Sequence, residues 1–210
     1  MIKVLIADDH PVVRQGLKQI IEETTDITVG GDASDGVDLL KKVRSGRWDA
    51  VLMDMAMPGT SGLDLLKQIK SENPKLPVLV LTVYSEDQYA IRVLQAGASG
   101  YLTKGCPPNE VIDAIRKVAG GGKYITESLA EKLAVRLDDD GTKSPHELLS
   151  DREYQVLCMI ASGKTVSEIG HKLRLSVKTI STYRSRVLVK MKLKNNAQLT
   201  QYAVHSNLVE

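Results

Sequence analysis

Five short runs rich in β-branched and other apolar residues recur in the first half of the chain, and their spacing constrains the fold more than any other feature. The runs are Ile2–Ala7, Ile27–Gly31, Ala50–Met53, Val78–Thr82 and Gly100–Leu102. Their starts lie 22 to 28 residues apart, close to the roughly 30 residues of a βαβ unit. The segments between them carry apolar residues at helical intervals. We therefore predict an α/β fold with a five-stranded, doubly wound parallel sheet.

Polar residues follow four of the predicted strands at their carboxyl ends. They are Asp8 and Asp9, then Asp54, Thr82 and Lys104. Taken singly, each has an ordinary explanation, because aspartates cap helices, threonines close strands and loop lysines are solvated. Functional groups gather at this edge of an open parallel sheet. Their occurrence at four strand ends therefore favours one common site.

The three aspartates would repel each other unless a cation neutralised them. Oxygen ligands without a His/Cys set favour Mg²⁺, or Mn²⁺, over zinc. Asp54 could then attack a phosphoryl donor, while Lys104 and Thr82 stabilise the oxygens of the transferring group. A metal-dependent phosphatase is the enzyme alternative. That class carries a proton-transferring aspartate two residues after its nucleophile, where this chain has Ala56, so we predict that the chain is not an enzyme.

These residues lie in motifs that resemble the receiver domain of two-component response regulators. The motifs are Asp8–Asp9–His10, Asp54-x-x-Met57–Pro58-x-x-x-Gly62, Thr82 and Gly97–Ala98-x-Gly100–Tyr101–Leu102-x-Lys104. The resemblance covers residues 1–121 and implies the flavodoxin-like strand order 2-1-3-4-5. It also implies that a sensor histidine kinase phosphorylates Asp54.

The resemblance assigns roles within the site. The metal ligands that it implies are Asp8, Asp9, Asp54 and the backbone carbonyl of Ala56. Thr82 and Tyr101 would form a coupled switch in which Tyr101 swings inward as Thr82 moves toward the phosphoryl oxygens. A half-buried aromatic on an edge strand is the alternative for Tyr101. Val83 departs from the Ala, Ser or Gly of many receivers, and its size would narrow access for a phosphodonor or for water.

The net charge of +2 conceals a polarised chain. Residues 1–123 sum to −1, residues 124–147 to −3 and residues 148–210 to +6. A basic C-terminal segment indicates an anionic polymer as partner. We predict a linker at 122–147, with mobility around 138–146, where acidic residues, glycine and proline interrupt the periodicity. A second, smaller all-α domain would then occupy residues 148–210.

The C-terminal segment is predicted to form four short helices. Ser150 with Glu153, and Thr165 with Glu168, are capping boxes that open the first two. Ser176 would cap a third helix at Val177–Met191, and Asn196 a fourth that runs to about Ser206. Two short helices joined by a tight turn, with the second rich in Lys, Arg, Ser and Thr, indicate a helix-turn-helix.

This segment resembles the LuxR/NarL-type effector domain. The matching motifs are Leu149–Ser150-x-Arg152–Glu153-x-x-Val156–Leu157, Ile169-x-x-Lys172–Leu173-x-Leu175–Ser176, Lys178–Thr179–Ile180 and Lys190–Met191. Residues 181–186, S-T-Y-R-S-R, resemble the BvgA/EvgA-like subgroup. The resemblance implies base contacts from Ser181, Thr182 and Ser185. It implies phosphate contacts from Lys178, Thr179, Arg184 and Arg186. A solvated amphipathic helix is the alternative for this segment.

The function expected from both resemblances is a phosphorylation-dependent, DNA-binding transcription regulator. Its expected partners are double-stranded DNA, a sensor histidine kinase and, when phosphorylated, a second copy of the chain; RNA polymerase is a further candidate. A tail that binds RNA or protein, and DNA binding without phosphorylation control, are the alternatives. No apolar run approaches the roughly 20 residues of a membrane span, and neither a signal peptide nor a cysteine framework is evident. We therefore expect a cytoplasmic protein without a membrane partner.

Overall fold

The structure is a computed structural model that describes residues 1–57, 60–84, 86–138, 144–206 and 208–209. The chain forms two compact units, Met1–Lys132 and Leu133–Glu210. Among the described residues, no helix is both long and apolar enough to cross a bilayer.

The first unit is built on a parallel sheet of five strands. They are β1 at Ile2–Ala7, β2 at Ile27–Ala33, β3 at Ala50–Met53, β4 at Val78–Thr82 and β5 at Gly100–Thr103. Their order in the sheet is β2-β1-β3-β4-β5, and every paired neighbour is parallel. All residues of β3 and β4 are buried, as strands covered on both faces must be. The predicted sheet and strand order are confirmed.

Five helices connect and cover these strands. They are α1 at Pro11–Glu22, α2 at Gly36–Ser45, α3 at Gly62–Glu72, α4 at Glu86–Gln95 and α5 at Pro108–Ala119. Leu17 and Ile21 of α1 pack with Ile115 of α5 and with Val4 and Ile6 of β1 in one apolar cluster.

The chain after α5 returns to the edge of the sheet. The Tyr124 N–H donates to the Ser99 carbonyl at 2.8 Å, and Tyr124 forms an isolated parallel bridge with Gly100. Helix α6 then runs from Glu127 to Asp138, close to the helical stretch expected at 128–137. The predicted mobile segment at 138–146 falls largely on residues 139–143, which lie outside the described residues. His146, at the end of the predicted mobile segment, is buried, which the prediction does not include.

The second unit is helical, as predicted. A 3₁₀ helix at Pro145–Leu148 precedes α7 at Asp151–Ala161, α8 at Val166–Leu173, α9 at Val177–Lys190 and α10 at Asn196–His205. The buried His146 side chain hydrogen-bonds through Nδ1 to the Tyr202 hydroxyl at 2.9 Å, which ties the 3₁₀ helix to α10. Both predicted capping boxes are present, at the starts of α7 and α8.

The helix ends differ from the prediction at two places. Helix α9 ends at Lys190, and Met191 is its C-cap. The cap of α10 is Asn195, not Asn196, because Asn195 has extended backbone and its side chain accepts the Gln198 N–H at 3.0 Å. Two adjacent asparagines offer the same capping chemistry, and only the backbone conformation distinguishes them.

Candidate functional site

Strand pairing brings the acidic residues together. Strands β1 and β3 are direct neighbours, with Ala7 opposite Met53, so the residues that follow them, Asp8 and Asp54, emerge side by side. The Asp54 N–H donates to the Ala7 carbonyl at 2.8 Å, which continues the ladder into the site. One ligand atom from each of Asp8, Asp9, His10 and Asp54 lies within 4.8 Å of the others. The predicted acidic cluster is therefore present as a compact group.

Lys104, which follows β5, completes this cluster at the same edge of the sheet. Its Nζ lies 2.6 Å from Asp8 Oδ2 and 2.6 Å from Asp54 Oδ2. Both aspartate side chains are at least 97% buried, with exposures of 3% and 1%. Burial alone would lower the pKa of the Lys104 ammonium, but its hydrogen bonds to Asp54 and Asp8 outweigh burial and raise it. Lys104 is therefore held as a cation between two carboxylates.

The residues after Asp54 fold back over its carboxylate. The Ala56 N–H donates to Asp54 Oδ1 at 3.1 Å, which fixes the side chain orientation. Oδ1 and Oδ2 of Asp54 thus have different partners, a backbone amide and Lys104. Pro58 and Gly59 of the receiver-like motif lie outside the described residues.

The proposed switch residues are both buried. Thr82 is fully buried, and its Oγ1 has no hydrogen-bond partner among the described residues. Tyr101 is also fully buried, and its hydroxyl donates to the Tyr84 carbonyl at 2.7 Å. The alternative of a half-buried edge aromatic is therefore wrong, because the whole side chain is buried and its hydroxyl is bonded to the backbone after β4. Val83, next to Thr82, is 62% exposed.

His10 belongs to the cluster, although the predicted ligand set contains oxygen ligands alone. Its Nδ1 lies 2.8 Å from Asp9 Oδ1 and 3.3 Å from Asp8 Oδ1. Its backbone N–H also donates to Asp8 Oδ1 at 2.9 Å. The signal that was available is its position between Asp9 and Pro11, where a tight turn into α1 folds the imidazole back over the acids.

Helix α9 carries the predicted DNA contacts in the second unit. Ile180 and Val187 are buried against the other helices, as predicted, and Met191 is buried beside them. Lys178, Thr182, Ser185 and Arg186 are exposed, and Thr179, Ser181 and Arg184 are partly buried. The surface away from the core is therefore cationic and rich in hydroxyl groups.

Several of these side chains already make contacts within the unit. The hydroxyls of Thr182 and Ser185 donate to the carbonyls of Lys178 and Ser181, each at 3.0 Å. Their oxygens keep accepting capacity. Arg184 is turned toward α10, and its Nε donates to Asn196 Oδ1 at 2.6 Å, a contact that is not among the predictions from sequence.

Comparison with known families assigns both units. Residues 4–116 match the response regulator receiver domain. The chain belongs to the response regulators. Residues 147–203 of this response regulator match the bacterial regulatory proteins of the luxR family, so it joins a receiver domain to a DNA-binding helix-turn-helix domain, as a transcription regulator does.

Relatives align with this response regulator over its whole length. It is 41% identical over 209 residues to the response regulator UvrY of Escherichia coli K12, covering 99% of this chain and 96% of the relative. It is 40% identical over 211 residues to the response regulator GacA of Pseudomonas aeruginosa, covering 100% and 99%.

A solved structure is also similar across both units. RcsB from Salmonella enterica serovar Typhimurium, bound to the promoter rprA in the presence of the phosphomimetic BeF₃⁻, is 27% identical with a TM-score of 0.65. The match covers 96% of this chain and 97% of RcsB.

Proposed function

We propose that Asp54 is the phosphoryl acceptor and that a sensor histidine kinase is the donor. An Asp54 carboxylate oxygen would form a bond to phosphorus as the phosphorus–nitrogen bond to the kinase histidine breaks. The observation that carries this proposal is the convergence of Lys104 on Asp54 and Asp8 at 2.6 Å each. A buried carboxylate beside a fixed cation is arranged to receive a group that brings further negative charge.

The closely spaced carboxylate oxygens of the acidic cluster are suitable ligands for a divalent cation. Hard oxygen ligands from closely spaced carboxylates suit Mg²⁺, with Mn²⁺ as the alternative. The residues that would hold the ion are Asp8, Asp9, Asp54 and the backbone carbonyl of Ala56. When bound, the ion would neutralise oxygens of the transferring group.

Lys104 and Thr82 would stabilise the phosphorylated state. The Lys104 ammonium would move from its contact with Asp54 Oδ2 to a phosphoryl oxygen, so its charge is kept in the pocket. The Thr82 hydroxyl, which is buried and has no hydrogen-bond partner among the described residues, would donate to another oxygen. Tyr101 would follow Thr82, because its hydroxyl is bonded to the backbone at Tyr84, two residues further along.

In the second unit we propose that helix α9 enters the major groove. Lys178, Thr179, Arg184 and Arg186 would contact phosphates, and Ser181, Thr182 and Ser185 would contact base edges. Phosphorylation would favour a homodimer that reads two half-sites about one helical turn apart. RNA polymerase is a further proposed partner. The S-T-Y-R-S-R sequence of residues 181–186 supports the finer proposal of a BvgA/EvgA-like recognition helix.

We infer the following boundaries: a receiver at 1–121, a linker at 122–147 and a DNA-binding domain at 148–210. The two family matches, at 4–116 and 147–203, support them. We infer also that the chain turns over no phosphate ester, because Ala56 offers no proton-transferring carboxylate after Asp54. Measured hydrolysis of a generic phosphate ester would overturn that inference.

The central proposal is tested with acetyl phosphate and Mg²⁺. Intact-mass spectrometry should show one added phosphoryl group on the wild type and none on Asp54→Asn. The same samples should then be titrated onto DNA duplexes that the protein has selected from a pool of random sequences. Only the phosphorylated wild type should gain affinity. Equal modification of Asp54→Asn would disprove the acceptor, and equal affinity of both samples would favour DNA binding without phosphorylation control.

A further inference from the structure

One threonine hydroxyl links the start of α4 to the start of α6. Thr126 Oγ1 lies 2.9 Å and 3.0 Å from the two carboxylate oxygens of Glu86, to which it donates. The same Oγ1 accepts the Leu129 N–H at 3.2 Å and so caps the first turn of α6. Because the hydroxyl both donates and accepts, the two bonds reinforce each other. Losing the Glu86 contact would therefore weaken the cap as well.

Glu86 lies at the end of the chain from Thr82 to Glu86, which we call the switch segment. Glu86 follows Tyr84 by two residues, and the Tyr84 carbonyl accepts the hydrogen bond from the buried Tyr101 hydroxyl. The Tyr84 ring stacks on Tyr89 of α4, with centroids 4.6 Å apart. Burial and then the nearby Glu86 carboxylate raise the pKa of Tyr101, which agrees with Glu86 lying close to the phenol. Thr82 and Glu86 are only four positions apart in the sequence, so a movement of Thr82 would reach Glu86 along a short stretch of chain.

The Thr126 end is fixed to the sheet instead. We call residues 123–126 the strap. Its Tyr124 N–H donates to the Ser99 carbonyl, and a Cβ at Gly100 would lie only 2.8 Å from the Tyr124 carbonyl oxygen. The Lys123 ammonium donates to the Ala98 carbonyl at 2.5 Å. The strap is therefore held by β5 and the loop before it, and a shift of the β4–α4 segment would not carry it along.

We propose that Glu86 and Thr126 form the contact through which the phosphoryl site controls the linker helix α6. The proposal rests on the proposed roles of Asp54 and Thr82. As Thr82 moves toward the phosphoryl oxygens, the chain up to Glu86 follows, the carboxylate leaves Thr126, and the first turn of α6 loosens. Helix α6 precedes the DNA-binding helices in the chain. A conformational change in the receiver would therefore affect the linker first at the first turn of α6.

Hydrogen exchange of the full chain, followed by mass spectrometry in Mg²⁺ with and without beryllium fluoride, tests this contact. Peptides over residues 127–131 should exchange about fivefold faster when beryllium fluoride binds to the wild type, the factor expected for one hydrogen bond. Glu86→Ala should show the faster exchange from the start and no further increase. Thr126→Ser keeps the hydroxyl and should behave as the wild type.

A matched control lies in the same strap. The Tyr124 hydroxyl donates to Glu110 Oε1 at 3.0 Å. This is also a hydroxyl–carboxylate bond, but it joins the strap to α5 and not to α4. Glu110→Ala should therefore retain the wild-type response to beryllium fluoride. Thr126→Val, which removes the donor itself, provides a second test should Glu86→Ala fail to fold.

Binding of beryllium fluoride is followed separately by ¹⁹F NMR. If the bound signal appears while exchange at 127–131 stays constant, the coupling contact is disproved and the phosphoryl site stands. If no bound signal appears, the proposed function fails and this proposal with it. Slow exchange in both Glu86→Ala and Thr126→Val without beryllium fluoride would likewise overturn the coupling.

Discussion

Lys104 and Asp54 are 50 residues apart in sequence, yet their side chains meet at 2.6 Å between Nζ and Oδ2. Strand β4 separates the strands from which they come, and the lysine side chain spans it at the carboxyl edge of the sheet. The Lys104 N–H donates to the Thr82 carbonyl at 2.8 Å, so the lysine backbone is anchored beside the proposed switch threonine. One residue therefore contacts both Asp54, the proposed phosphoryl acceptor, through its ammonium group and the end of β4 through its backbone N–H.

Lys104→Met should destabilise the receiver in the absence of divalent cations. The change leaves Asp8 and Asp54 buried and close together with no cation between them, at a cost of roughly 3 kcal/mol. Millimolar Mg²⁺ should raise the melting temperature of the variant more than that of the wild type, because the ion replaces the lost charge. Thermal unfolding with EDTA or Mg²⁺ measures this. An equal Mg²⁺ effect on both proteins would contradict the explanation, and Lys67→Met, an exposed lysine of α3, is the control.

Thr82→Val should separate the stability of the receiver from its response to phosphorylation. Within the described part of the chain the buried Thr82 hydroxyl has no hydrogen-bond partner, so its replacement by a methyl group should leave the free energy of unfolding unchanged or raise it by about 1 kcal/mol. Affinity for beryllium fluoride should fall about tenfold, since one hydrogen bond to a charged group is lost. Urea unfolding and ¹⁹F NMR titration measure the two effects. A variant that is clearly less stable than the wild type would show that the hydroxyl has a partner.

Acid should weaken the second unit through Glu153. Burial alone would raise the pKa of this carboxyl, but the Lys190 ammonium at 2.6 Å and the Ser150 N–H at 2.8 Å lower it below its ordinary value. A carboxyl whose pKa is lower in the folded state stabilises the fold above its unfolded pKa, about 4.3. That contribution is lost as the pH falls through the folded-state pKa.

Glu153→Gln tests this pH dependence. Glutamine keeps the capping box at the start of α7 but cannot pair with Lys190. The free energy of unfolding, from urea titrations followed by circular dichroism, should therefore fall less steeply between about pH 5 and pH 3 than in the wild type. Glu131→Gln, an exposed glutamate of α6, should keep the wild-type slope. A variant as acid-sensitive as the wild type would rule out the pair as the cause.

Lys178 and Thr182 should affect DNA binding in different ways. Lys178→Ala should weaken binding to all duplexes alike and reduce the slope of log affinity against log salt by about 1, because one phosphate contact is lost. Thr182→Ala should keep the slope but change the preferred base by about 1–3 kcal/mol at one position. Fluorescence anisotropy at several salt concentrations separates the two. Lys41→Ala, on the first unit, should change neither quantity, and an unchanged slope for Lys178→Ala would remove it from the phosphate contacts.

The first unit shows how far spacing in the sequence determines the site. The strand ends carrying Asp8, Asp54 and Thr82 could be predicted because parallel strands place their carboxyl ends at one edge. His10 is part of the receiver-like motif but has no predicted role, because a histidine next to two acids has no periodic signature. The burial of the Tyr101 side chain could not be predicted either, because a residue on an edge strand becomes buried only when another segment covers it.

The sequence by itself determined which residues could do chemistry and in what order the strands and helices follow. Hydrophobic periodicity and capping residues are local signals, so they predict helices and strands without knowledge of the fold. The cap predicted for α10, Asn196, is wrong by only one residue, since the cap is Asn195. The tertiary structure alone decided the pairing of Lys104 with two acids, of Arg184 with Asn196 and of Glu86 with Thr126. These contacts join segments that are distant in the chain, and their geometry depends on how helices pack on the sheet and on each other, which no local pattern encodes.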